Sequence, residues 1–328
     1  MKKLLACAAM ALMAFGSADA RELRASTAAP EASPWGKVAN AYAARVNELS
    51  GGTLTIKFFF SSELGDEQTV ARQVARGRLD MAGLSNTATS LLVPEFGLLA
   101  SPYAFADENM ADCVADNHLI GTFQDAFDGA GVVTVAFLEV GYQVIFSKDP
   151  VKVPADFNGM KIRSAPTKTD TMYLDAAGAN AVPLGTTDAM PALKTGNVNA
   201  VTWPTVYGIA IGTHKVAPHV TVTNHVHQIG TVLISKRIFD SLSAEEQGWI
   251  KQAADVFKGF RPVLRGAQSG LVKKIAAAGI PVYYPTADEM AKWVEVAAKI
   301  QPQIVEEMGG NSKATWAAIQ EAKKACGG

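Results

Sequence analysis

Segments typical of strands and of helices alternate along most of the chain, and this alternation limits the possible folds more than any other feature. "ELRAST" from Glu22 is strand-like, "SPWGKVANAYAARVNELSGG" from Ser33 has apolar residues at helical spacing before a Gly-Gly stop, and "LTIKFFF" from Leu54 is again strand-like. Together they predict a β-α-β unit, in which the two strands are parallel. The pattern favours an α/β fold with a mainly parallel sheet flanked by helices.

The alternation continues and then starts again near Tyr142. Further strand-like and helix-like segments follow in both halves: "DEQTVARQVARGRLD", "MAGLS", "GVVTVAFLEV", "MKIRS", "AVPL" and "VNAVTWP". A late strand-like segment, "HQIGTVLISKRIF" from His227, predicts a return to the first half. Two lobes joined by crossing segments imply a cleft between them.

The predicted organisation has five parts. We expect a cleaved signal peptide at 1–20, the first part of lobe I at 21–141, the first part of lobe II at 142–228, the return to lobe I at 229–265, and at 266–328 a C-terminal helical region that completes lobe II and braces both lobes.

The N-terminus has the features of an export signal. Lys2 and Lys3 precede the apolar run "LLACAAMALMAF", and Ala18 and Ala20 fit a cleavage site before Arg21. We therefore expect a periplasmic protein. The apolar run is too short for a membrane helix and no later segment approaches that length, so the mature chain is not expected to span a membrane. The net charge of -1 gives no reason to expect nucleic acid as a partner.

Two cysteines, Cys113 and Cys326, remain after the predicted signal peptide. An even pair in an oxidising compartment favours a disulfide that ties down the C-terminal tail. The alternative is two unrelated thiols, since a sequence does not give the distance between them.

Signatures of catalysis and of metal binding are scarce. The chain has no G-x-S-x-G, H-E-x-x-H, paired C-x-x-C or P-loop motif. His225 and His227 share a face of an extended segment, but no third ligand stands at metal-site spacing, so packing or hinge hydrogen bonds are the favoured roles. We expect no cofactor and no metal held by protein residues, and the sequence leaves open whether a metal ion bridges the ligand.

Several segments, in order, resemble the DctP-type solute-binding proteins of TRAP transporters. They cover most of the mature chain: "ELSGGTLTIKFFFSSELGDEQTVARQVARGRLDMAGLS", "FNGMKIRSAP", "ANAVPLGTTDAMPALKTGNVNAVTWP" and "VTNHVHQ". The resemblance implies a two-lobed periplasmic receptor of the Venus-flytrap type, which closes around a small organic acid. It also implies delivery of that acid to the small and large membrane subunits of a permease driven by an ion gradient.

Arg163 is the strongest candidate for a ligand contact. It falls on the arginine of the family's "GLKIR" segment, which is similar to the position that grips the ligand carboxylate. A guanidinium presents a planar fork that matches the two oxygens of a carboxylate. The residues alone leave another interpretation open, in which Arg163 is an exposed cation at a strand end or pairs with Asp170 or Asp188.

Four further candidates lie near the predicted crossing and on the second lobe. Trp203 stands where many family members have asparagine, and its indole offers an apolar wall with one N–H donor, although a core or hinge role is equally open. Gln143 aligns with a second arginine of sialic-acid-binding relatives, so one cation is missing. Tyr142, next to Gln143, and Tyr207 are also ligand-binding candidates.

The first lobe is expected to contribute Ser85, Asn86 and Glu63, because loops at the carboxyl ends of strands meet the ligand in open α/β sheets. Turn and capping roles remain the alternative for these three. Asp188 aligns with a family glutamate, and a solvated acid at a helix start explains it equally well.

Three functions are compatible with the sequence. The first is a TRAP solute receptor for an organic acid, the second an exported binding protein that serves a sensor, and the third a secreted enzyme on the same scaffold. Mono-, di-, keto-, hydroxy- and aromatic acids all remain compatible with the predicted site.

Overall fold

The computed structural model describes residues 20–328, so the predicted signal peptide lies almost wholly outside the described residues. Ten strands occur in this part of the chain. They are β1 (Arg21–Thr27), β2 (Leu54–Phe59), β3 (Met81–Leu84), β4 (Val132–Ser147), β5 (Lys161–Ser164), β6 (Asn180–Pro183), β7 (Ala200–Pro204), β8 (His219–Thr221), β9 (His227–Ser235) and β10 (Val282–Tyr283).

The helices between these strands begin mostly where a short polar side chain caps the first turn. Ser33, Asp66 and Thr286, for example, each accept a backbone N–H. The α-helices are α1 (Pro34–Leu49), α2 (Glu67–Ala75), α3 (Asn86–Thr89), α4 (Glu108–Asn117), α5 (Leu119–Gly129), α6 (Lys168–Ala176), α7 (Thr186–Thr195), α8 (Thr205–Ala210), α9 (Lys236–Asp240), α10 (Ala244–Ala253), α11 (Phe260–Ala277), α12 (Ala287–Met308) and α13 (Ser312–Ala325).

One mixed sheet runs through the molecule, with the order β2-β1-β3-β9-β4-β7-β5-β6. The outer triplets, β2-β1-β3 and β7-β5-β6, are parallel, as the β-α-β pattern predicts. The central strands β9 and β4 are antiparallel to their neighbours. We call β1, β2, β3, β9 and the start of β4 the first lobe, and the end of β4 with β5–β8 and β10 the second lobe.

Strand β4 carries the sheet from one lobe to the other without interruption. It pairs with β9 up to Tyr142 and His227, and with β7 from Gln143 onward. The ladder shifts register between Glu139 and Gly141, and Gly141 has φ +96°. A glycine adopts this backbone conformation readily, so the irregularity bends the strand at the crossing.

The C-terminal helices pack against both lobes. Helix α12 lies on α6 of the second lobe, and α13 lies on α4 of the first. Trp293 of α12 is fully buried and donates its Nε1–H to the carbonyl of Lys152. A disulfide joins Cys113 of α4 to Cys326 after α13, as the cysteine count favours. Within residues 20–328, no helix combines the length and the apolar character needed to cross a membrane.

Candidate functional site

A cavity lies between the two lobes, where the parallel strands of each triplet end. The volume inside it that is accessible to water is about 100 Å³. Its walls come from β1, α1, β2, α2, β3 and α3 of the first lobe and from β5, α7, β7 and α8 of the second, with β4 and β9 between them. Clefts formed at the carboxyl ends of strands are the usual ligand sites of α/β proteins.

Arg163 lines this cavity and is only 4% exposed. Its Nε–H and one Nη2–H are donated to the carbonyl of Leu184, at 3.0 and 2.9 Å. Because a guanidinium has five N–H donors, three remain, and one on each Nη points outward in parallel. No carboxylate oxygen of the described residues comes within 4.0 Å of a guanidinium nitrogen. The arginine is therefore fixed in place while its outer fork stays unused.

Trp203 packs on the guanidinium, and Tyr207 packs on Trp203. The Arg163 Cζ atom lies 4.4 Å from the centroid of the Trp203 ring, which is 4% exposed. Tyr207 packs edge-on against Trp203 at 5.2 Å between ring centroids. The Trp203 Nε1–H is buried and has no hydrogen-bond partner among the described residues. Both residues line the cavity.

Glu67 is a cavity residue that sequence reasoning missed. It stands at the start of α2, where it accepts the Ser85 backbone N–H at 2.8 Å and the Ser85 hydroxyl at 2.9 Å. Burial raises the pKa of the Glu67 carboxyl, while the Ser85 hydrogen bonds and the charge of Arg163 lower it in part. The predicted candidate Ser85 lines the cavity too, and it holds this carboxylate in position.

A second acid lies close to Arg163 on the side of α6. Asp170 is 7% exposed and its carboxylate accepts the backbone N–H of Ala165. Burial raises the pKa of Asp170 to about 6, and Arg163 and the Ala165 hydrogen bond act against that increase. Burial lowers the pKa of Arg163, which the negative charge of Asp170 raises again. Arginine keeps its charge at any physiological pH.

The crossing strands contribute two glutamines to the cavity, Gln143 from β4 and Gln228 from β9. They are 4% and 2% exposed, and the Oε1 atom of each is buried without a hydrogen-bond partner in the described chain. Gln228 was not predicted. Side chains alternate along a strand, so the pattern that singled out His227 also places Gln228 on the opposite face.

Four predicted ligand residues do not line the cavity. Asn86 is fully buried and donates from Nδ2 to the carbonyl of Phe96. Tyr142 packs edge-on against His227, at 4.8 Å between ring centroids. Glu63 is exposed in the turn after β2, and Asp188 is exposed in the first turn of α7. Their positions fit packing, turn and cap roles.

The two histidines of "NHVHQ" are buried at the crossing. The Nδ1 atom of His225 lies 2.7 Å from the Thr223 hydroxyl, and burial lowers the pKa of His225 to about 3. The Nε2 atom of His227 lies 3.5 Å from a carboxylate oxygen of Glu139. Within residues 20–328, three possible metal-ligand atoms lie within 4.8 Å of one another in one place, on Cys113, His118 and Cys326, and the disulfide uses both sulfurs.

The lobes touch each other beside the cavity. A Cβ atom placed on Gly185, at the start of α7, would come within 2.7 Å of a carboxylate oxygen of Asp66, the residue that caps α2. The backbone of Gly185 has φ −57°, which any residue adopts. Close approach between the lobes, rather than backbone conformation, therefore favours glycine here.

Two α/β lobes share the crossing strands and enclose a cavity that contains a buried arginine. This architecture defines a two-lobed solute-binding protein. The family model DctP, described as bacterial extracellular solute-binding protein family 7, matches residues 25–308. The chain belongs to this family. The predicted family and the two-lobed fold are confirmed.

Named relatives and solved structures agree with this assignment. The 2,3-diketo-L-gulonate-binding periplasmic protein YiaO of Escherichia coli (strain K12) is 27% identical over 239 residues, 72% of this chain and 73% of that protein. The sugar acid binding protein DctPAm from Advenella mimigardefordensis strain DPN7T, in complex with galactonate, gives a TM-score of 0.89 at 26% identity and covers 94% of this chain and 99% of its own.

A third comparison concerns a smaller ligand. The TRAP periplasmic solute binding protein from Ralstonia eutropha H16, with bound (S)-2-hydroxy-2-methyl-3-oxobutanoate, gives a TM-score of 0.84 at 25% identity. The match covers 93% of this chain and 98% of that structure.

Proposed function

We propose that this protein is the extracytoplasmic solute receptor of a TRAP transporter and that it binds a small organic acid through Arg163. The unused fork of a buried, immobilised guanidinium in the interlobe cavity is the observation that carries the proposal. A carboxylate that enters this cavity replaces its lost hydration with charge-assisted hydrogen bonds, which are stronger in a closed site than in water.

The lobes close over the bound ligand, and this closure is the step by which the receptor captures it. Arg163 and Trp203 belong to the second lobe and Glu67 to the first, so a ligand that contacts both lobes favours the closed state over the open one. The irregular β4–β9 crossing at Gly141 is the point about which the lobes move. The closed receptor then delivers its ligand to the membrane subunits of the permease in the periplasm.

The experiment is a thermal-shift screen of the mature protein, unfolded and refolded to remove any trapped ligand, against mono-, di-, keto-, sugar and aromatic acids. A ligand that binds the folded state raises the melting temperature. We expect at least one acid to do so in the wild type and to lose that effect in Arg163→Ala. No stabilisation by any acid would contradict the proposal.

Two outcomes would redirect the assignment. Chemical turnover of the stabilising acid would favour the secreted enzyme. Uptake of the labelled acid into vesicles that carry TRAP membrane subunits, only when the binding protein is added, would support the transport role over the sensor role.

A further inference from the structure

The cavity combines a few polar side chains with a larger apolar surface. Its charged and amide side chains are Arg163, Glu67, Gln143 and Gln228, and its hydroxyl side chains are Thr27, Ser85, Thr87, Thr186, Thr202 and Tyr207. The part of the lining that we call the apolar wall consists of six side chains with no charge. They are Trp35, Val38, Phe58, Leu138, Val140 and Phe257.

The apolar wall offers no free hydrogen-bonding group from its side chains. Its one polar side-chain atom, Nε1 of Trp35, donates to the carbonyl of Glu139 at 3.1 Å. A hydroxyl pressed against this wall would lose water without gaining a partner, which is unfavourable, whereas a hydrocarbon body would be stabilised by leaving water.

The charges of the cavity also limit the ligand. Arg163 and Glu67 are its only lysine, arginine, aspartate or glutamate residues within the described part of the chain. One ligand carboxylate can form an ion pair with Arg163. A second carboxylate would meet Glu67 or the apolar wall and would be buried without a cation, which carries a large desolvation cost.

From these observations we infer that the ligand is a monocarboxylate with a polar group next to the carboxylate and an apolar body. The carboxylate lies on Arg163, a neighbouring hydroxyl donates to Glu67 or to a glutamine Oε1, or a neighbouring keto oxygen accepts from a glutamine Nε2–H, and the body packs on the apolar wall. This inference rests on the proposed function and narrows it to one substrate class, distinct from dicarboxylates and polyhydroxylated sugar acids.

The test compares three six-carbon acids that share a 2-hydroxycarboxylate head and differ in the rest of the molecule. They are 2-hydroxyhexanoate, 2-hydroxyadipate and galactonate, measured by isothermal titration calorimetry on the refolded mature protein. We expect 2-hydroxyhexanoate to bind at least tenfold more tightly than either of the others. Its binding should weaken in the double variant Val38→Thr/Val140→Thr, which keeps the volume and adds two hydroxyls to the wall.

Val294→Thr on the exposed face of α12 is the matched control, because Val294 is 42% exposed and does not line the cavity. Tighter binding of galactonate or 2-hydroxyadipate, still abolished by Arg163→Ala, would overturn this inference and leave the proposed function standing. Binding of none of the tested acid classes, or binding that Arg163→Ala leaves unchanged, would overturn both.

Discussion

The guanidinium of Arg163 lies over the ring of Trp203, with 4.4 Å between Cζ and the ring centroid, and both side chains line the interlobe cavity. A cation over an indole face gains about 0.5–2 kcal/mol, more as water is excluded. The pair therefore restricts the orientation of the guanidinium.

Trp203→Leu should weaken binding of the acid by roughly 2- to 30-fold, the equivalent of that interaction. Trp203→Phe keeps an aromatic face and should recover part of the loss. Calorimetric affinities of the two variants check this, with thermal melting to compare their stability. If both variants bind as tightly as the wild type, the indole has no positioning role.

Gly185→Ala should weaken binding by roughly fivefold, the low end of the cost of overpacking because the Asp66 carboxylate can shift, without lowering the stability of the ligand-free protein. The added methyl group would approach the Asp66 carboxylate only when the lobes are together, and overpacking of this kind costs about 1–3 kcal/mol. Gly270→Ala in α11 is the control, since a Cβ there meets nothing within 4 Å. Equal affinities in both variants would contradict a closed state with this interlobe contact.

Asp170 should make the folding stability depend on pH in a definite direction. Its pKa in the folded protein is about 6, above the unfolded value of about 3.9, so the folded state holds the proton more tightly. Stability from this group is present below about pH 4 and is lost as the pH rises through 6.

Asp170→Asn removes the pH-dependent loss of folding stability, because asparagine does not titrate, and it keeps an acceptor for the Ala165 N–H. The free energy of unfolding of the variant, relative to wild type, should increase by up to about 3 kcal/mol between pH 4 and 7. Urea denaturation at each pH measures this difference. A difference that stays constant over the range would show that Asp170 does not titrate there.

The double variant Cys113→Ser/Cys326→Ser should lose about 2–5 kcal/mol of unfolding free energy, because the disulfide closes a very long loop in the unfolded chain. Neither cysteine lines the cavity, so the affinity for the acid should not change. Denaturation curves that coincide with the wild type would contradict the structural role, and a large loss of affinity would contradict the separation of disulfide and site.

The alternation of strand-like and helix-like segments predicted the β-α-β units, because the spacing of apolar residues along a segment follows from whether that segment is a strand or a helix. It did not show that one strand, β4, runs from Val132 to Ser147 across both lobes. The bend at Gly141 is set by pairing with β9, which lies some ninety residues later, and no local pattern reports such pairing.

The cavity residues were predictable to different degrees. Arg163 stood out because it falls on the arginine of the family's "GLKIR" segment, whereas the residues alone favoured an exposed or internally paired cation. Glu67 was missed in favour of Glu63, since both acids lie near the same turn. Ser61 and Ser62 adopt positive φ values of 53° and 61° in that turn, and the conformation places Glu63 in solvent. Such a conformation is uncommon for serine and has no sequence signal.

The most direct test of the account is calorimetric titration of Arg163→Ala and Arg163→Lys with the acid that most stabilises the wild type. Arg78→Ala, at an exposed arginine outside the cavity, is the control. Loss of charged hydrogen bonds costs about 1.5–3 kcal/mol or more, so Arg163→Ala should bind well over tenfold more weakly, and lysine, without the planar fork, should restore little. Wild-type affinity in a folded Arg163→Ala variant would contradict the account.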